Sequence, residues 1–135
     1  MSEPTSLNRS IEEIEGTRWG DPPTDASRLI TAAYALRRKP VVDLTVEDLR
    51  LLIGQQVGVG ILVPRALVLL RDEPFVEGDM FEGDLLCAVL RIDGAFWAEH
   101  PDHADAMDAI TDELVDPAAE VVREIERWRV ARRGR

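Results

Sequence analysis

The sequence is poor in the residues that cross-link chains, span membranes or ligate metals. Its single cysteine, Cys87, cannot form an internal disulfide, and it sits within the apolar run Leu85 to Leu90, where a thiol packs as a small hydrophobic side chain. No apolar stretch approaches the roughly 20 residues that a membrane span needs. Met1 to Arg9 lacks a charged segment followed by an apolar one, so nothing directs the chain out of the cytoplasm. Histidine is confined to His100 and His103. With Glu99 they have part of a zinc-site spacing, but no further histidine or free cysteine ligand completes a tetrahedral set, and Pro101 interrupts the helix between Glu99 and His103. The doubled Glu-Gly-Asp of Glu77 to Asp84 lacks the alternating ligand spacing and terminal glutamate of a calcium loop. Neither a metal nor another cofactor is expected.

Sustained alternation of apolar and polar residues is missing too, as are Asn-Gly or Asp-Gly turns flanked by such alternation. The expected fold is therefore all-α, one domain over residues 1–135 with about six to eight short helices, residues 1–7 frayed and 130–135 a basic tail. Val41-Val42 and Val57 to Val63 are the two places where a short strand competes. A first helix carries Ile11 and Ile14. After the Gly20-Asp21-Pro22-Pro23 turn, Thr24 is placed to cap a second, with Leu29, Ile30, Ala33 and Leu36 on one face and Pro40 at its end. Leu44 to Leu49 reads as a strong helix start, with Thr45 as N-cap, Asp48 closing a capping box, and Leu44 stapled to Leu49. Pro64 suits the first turn of an apolar helix from Arg65 to Leu70. Asp84 is placed to cap a buried helix over Leu85 to Leu90; Pro101 and Pro117 each sit where a first helical turn would begin, and Asp116 is placed to cap a last helix packed through Val121, Val122, Ile125 and Trp128.

What the sequence does have is carboxylate. Between Asp72 and Asp116 it holds fourteen against the one arginine Arg91, a local charge of −13 in a chain of net charge −10, so the remainder is slightly basic. Such a field would repel a phosphate chain, which excludes nucleic acid as the expected partner. The basic clusters Arg37-Arg38-Lys39 and Arg127 to Arg135 fall at helix ends, where the helix dipole accounts for them. One-sign charge costs the fold self-repulsion and is most useful against a positive macromolecule. The competing reading is a solvated face that keeps the protein soluble.

Catalysis finds little support. Two nearby histidines beside acids make no clear pairing with Ser6, Ser10, Ser27 or Cys87, and none of the fourteen carboxylates stands in an apolar context that would raise its pKa. Gly54 to Gly60 lacks the Lys-Ser/Thr and the preceding strand of a phosphate cradle. The protein is not expected to be an enzyme.

Three runs in order, Leu44 to Gly58 (LTVEDLRLLIGQQVG), Leu62 to Leu67 (LVPRAL) and Glu77 to Leu86 (EGDMFEGDLL), resemble the bacterial contact-dependent growth inhibition immunity proteins. Ser10 to Gly20 (SIEEIEGTRWG) looks like the start of this group, so the resemblance covers most of residues 8–97. It implies a small cytoplasmic protein that binds and neutralises the C-terminal toxin domain of a large secreted effector, as a stoichiometric inhibitor. Many such toxins are nucleases with basic clefts, which an acidic partner can cover. The expected contact is the loop Glu77, Asp79, Glu82 and Asp84, with Met80 or Phe81 as an apolar anchor at its centre. For Phe81 and Asp84 a structural role takes precedence, Phe81 filling the core and Asp84 capping a helix. Asp102, Asp105, Asp108 and Asp112 form a second candidate face. The protein would be a monomer or weak homodimer; the alternative is an acidic adaptor that homodimerises and has no toxin partner.

Overall fold

The computed structural model describes residues 8–134, and among these it contains eight α-helices and no strand. In chain order they are α1 (Ile11–Glu15), α2 (Arg28–Leu36), α3 (Val46–Gly54), α4 (Val59–Asp72), α5 (Asp84–Leu90), α6 (Gly94–Glu99), α7 (Pro101–Asp112) and α8 (Ala119–Arg133), with a 3-10 turn at Val41–Asp43. The expected all-α architecture is what forms. Residues 1–7, read as frayed, and Arg135 lie outside the described residues.

The fold is organised around α5. A helix that is apolar on every side has to be enclosed, and all of Asp84 to Leu90 is buried. α3 and α8 pack on it, α4 joins them, α7 covers α4, and α2 lies on α3. Cys87 is fully buried here, as its apolar neighbours require. On the α8 side the core is closed by Trp97 and Trp128, edge to face with ring centroids 5.0 Å apart. Each indole finds an acceptor: Trp97 Nε1 donates to the Ile92 carbonyl at 3.2 Å, and Trp128 Nε1 to Asp108 at 2.8 Å. Burying side chains of this size is worth about 1.5–3 kcal/mol each.

Local signals set several ends as expected. Thr45 accepts the Asp48 N–H at 3.1 Å while Asp48 accepts the Thr45 N–H at 3.0 Å, and Leu44 and Leu49 on either side are both buried. The same reciprocal box joins Ser10 and Glu13 at the start of α1. Pro101 occupies the first turn of α7. Val41-Val42 belongs to the 3-10 turn, beside an isolated bridge between Ser10 and Pro40.

Four boundaries differ from expectation. α2 is capped by Ser27, which accepts the Ile30 N–H at 3.2 Å, because the Pro22-Pro23 turn continues through Ala26, whose N–H bonds the Pro23 carbonyl, and absorbs Thr24. Of the face assigned to α2, Ala33 is buried and Leu36 packs against the core, but Leu29 and Ile30 stand exposed. α4 begins at Val59, since Gly58 at φ +63° breaks the chain there; Pro64 then lies inside the helix, forgoing one backbone bond. Asp116 adopts φ +51° ahead of Pro117, so the start of α8 falls to Ala118, which has no side-chain cap. The fourth, Asp84, bears on the site. Its helix is preceded by Gly83 at φ +89°, which leaves Asp84 as the first helical residue with its carboxylate turned back on the preceding loop.

Candidate partner-binding site

The acidic loop 77–82 joins α4 to α5 and has no strand or helix to satisfy its backbone. Two carboxylates do so. Asp84 accepts the N–H groups of Gly78 at 2.7 Å, Met80 at 3.0 Å and Phe81 at 3.3 Å, and Glu47 in the first turn of α3 accepts that of Asp79 at 2.8 Å. Four consecutive amides are thus bound by charged acceptors, a strong arrangement for a short loop. Both glycines of the Glu-Gly-Asp repeat serve this packing. A Cβ on Gly78 would lie 2.6 Å from the Glu47 carboxylate, and one on Gly83, besides its positive φ, 2.9 Å from Val121.

Arg50 lies beneath the loop. Its Nε donates to Glu47 at 2.7 Å, its Nη2 bonds the second Glu47 oxygen, and it stands 3.9 Å from Asp84. The Arg50 hydrogen bond holds the Glu47 carboxyl below its ordinary range against the opposing effect of burial, and the Asp79 N–H adds to it. The same pair raises the Arg50 guanidinium.

The predicted contact residues therefore separate. Asp84 is 3% exposed and fully engaged by the loop, so it is an internal anchor and not a helix cap. Phe81 is half-buried against the core. Glu77, Asp79 and Glu82 are exposed, and none has a basic side chain within ion-pair distance among the described residues. Met80 stands among them, 65% exposed.

The second candidate face is arranged differently. Asp105 and Asp108 both pair with Arg132, at 3.1 and 2.8 Å, Asp108 also accepts from Trp128, and Asp112 pairs with Arg129 at 3.3 Å. These three stitch α7 to α8, while Asp102 remains exposed and outside those pairs. Arg91, the one base of the acidic stretch, bonds the buried Glu124 at 2.9 Å, which raises its guanidinium. Arg37 is likewise more than a dipole partner: it is buried at the end of α2, within ion-pair distance of Glu12 and Glu15 and 4.2 Å from the Trp19 ring centroid.

His100 and His103 stack with each other and with Phe96, and His100 Nδ1 lies 2.9 Å from the Phe96 carbonyl. Among the described residues no group of three or more His, Cys, Asp or Glu side chains could hold a metal ion. Burial pushes the Cys87 thiol up to about 11, which removes it as a nucleophile.

The family model of the CDI immunity proteins matches residues 13–107. The chain belongs to the CDI immunity protein family. No curated protein and no solved structure matches it. Members of this family neutralise a toxin by binding it, so the role that membership implies is inhibition, not catalysis. The matched span contains the loop and both its anchors, Glu47 and Asp84, and ends before the arginines of α8 that pair with α7. Among the described residues of this immunity protein no helix is long and apolar enough to cross a membrane.

Sequence reasoning overlooked Glu47. Its place in the first turn of α3 is explained by the helix dipole, and nothing local links it to a loop 32 residues away. The usable hint was Gly78, a glycine without positive φ whose presence signals close approach by another part of the chain.

Proposed function

We propose that this immunity protein neutralises its toxin by covering a basic surface of the toxin's C-terminal domain with the loop 77–82, one protein to one toxin, in the cytoplasm. The carrying observation is a loop with four consecutive amides, Gly78 to Phe81, held from behind by Asp84 and Glu47 while Glu77, Asp79 and Glu82 face solvent around the exposed Met80. An exposed apolar side chain ringed by unpaired charge has the layout of an interface anchor with a polar rim. Opposite charge across such a rim speeds encounter and suppresses wrong partners. The chemistry of the complement is a cationic cleft, as in a nuclease that holds phosphates. The paired aspartates of α7 are a weaker candidate, because their field is already met by Arg129 and Arg132.

The test is titration of the C-terminal toxin domain encoded by the adjacent upstream gene with the wild-type protein and with the Glu77→Lys/Asp79→Lys/Glu82→Lys variant. Tight one-to-one binding that weakens with salt, and a loss of about 100-fold or more in the variant, is expected. Equal affinity for both proteins would remove the loop from the interface.

A further inference from the structure

We infer that Glu47 is a positioning residue for partner recognition, tying Asp79 to α3 in its binding arrangement before the toxin arrives; this rests on the reading of loop 77–82 as the contact. The three bonds to Asp84 span six, four and three residues and hold the loop to the start of its own helix, α5. The bond from the Asp79 N–H to Glu47 spans 32 residues and ties the loop to α3. Glu47 is not needed to start its helix, because Thr45 and Asp48 form the capping box without it. It is itself locked by two N–H groups of Arg50, and its side chain is 22% exposed. The loop is seated against it without a gap, since a Cβ on Gly78 would stand 2.6 Å from Glu47 Oε1 and 3.3 Å from its Cα.

A loop that is already ordered does not lose that freedom on binding, and the saving appears as affinity. Without Glu47 the charges of Glu77, Asp79 and Glu82 remain and Asp84 still holds the loop to α5, but the direct tie from Asp79 to α3 is lost. Glu47→Ala is expected to weaken binding to the toxin domain by about 10- to 100-fold at a salt where wild type binds tightly, with the dependence of affinity on salt unchanged. Glu47→Gln retains an Oε1 that accepts the Asp79 N–H and is expected to stay within about threefold of wild type. Gly78→Ala supplies a variant that keeps every carboxylate: its Cβ would stand 2.6 Å from Glu47 Oε1 and 3.1 Å from Asp84 Oδ2, so the loop must move off both, the Asp79 bond opens, and a loss at least as large as that of Glu47→Ala is expected.

Affinities are measured below the unfolding midpoint of each variant, so that only folded protein is compared. A purely structural role would leave the affinity of folded Glu47→Ala and Gly78→Ala equal to wild type. That result, with the lysine triple variant still defective, would overturn the positioning role and leave the loop as the contact. A triple variant that binds normally would overturn both.

Discussion

Removing the Asp84 carboxylate should unfasten the acidic loop and lower the stability of the whole fold. Two of its three bonds, to Gly78 at 2.7 Å and Met80 at 3.0 Å, are well formed, and the third, to Phe81 at 3.3 Å, is long. Hydrogen bonds to a charged acceptor contribute about 1.5–3 kcal/mol each. The half-exposed loop amides can recover part of this from water, and Arg50, 3.9 Å away, adds little. Asp84→Ala should therefore cost about 2–4 kcal/mol, which at a typical slope for a small protein lowers the urea midpoint by about 1–2 M. Asp84→Asn keeps one acceptor but presents an NH₂ group to the other amides, and should lose about half as much. Amide hydrogen exchange supplies the local reading: Gly78, Met80 and Phe81 should exchange faster in Asp84→Ala than in wild type. An Asp84→Ala midpoint within about 0.3 M of wild type, with those amides unchanged, would refute the anchoring role.

Other outcomes follow from the same contacts. The folded Glu47 carboxyl is held below its ordinary 4.5, so the stability it contributes is complete above that value and is lost as the pH falls through the folded one. Urea midpoints taken from about pH 6 to about pH 3 should thus fall less steeply in Glu47→Gln than in wild type; parallel curves would contradict the assignment. With the Cys87 thiol buried and pushed up to about 11, iodoacetamide near pH 8 should leave the folded protein unmodified and label it in urea. Rapid labelling of the native state would show that α5 is not enclosed.

The parts of the fold that could be read from sequence are those whose causes are local. The Thr45-Asp48 box, Pro101 in the first turn of α7 and the enclosure of Leu85 to Leu90 each depend on residues a few positions apart. Thr24 and Ser27 are both competent caps, and the choice between them is made by a turn whose length the sequence does not specify. Pro64 misleads because proline is commonest in a first turn, whereas here an earlier glycine at positive φ starts the helix and the chain tolerates a missing bond. At the site, exposure of Glu77, Asp79 and Glu82 follows from their charge. The inward turn of Asp84 goes with Gly83 at φ +89°, a position where a Cβ would also stand 2.9 Å from Val121 on α8. The neutralisation of Asp108 and Asp112 depends on how α8 docks, across 24 and 17 residues. Both are tertiary outcomes with no local signature.

The most direct test of the account is a footprint of the complex, comparing amide hydrogen exchange across this protein alone and bound to its toxin domain. The strongest new protection is expected on residues 77–82 and the adjoining first turn of α3. Protection confined to other surfaces, such as the outer face of α8, with the loop exchanging as in the unbound protein, would contradict it.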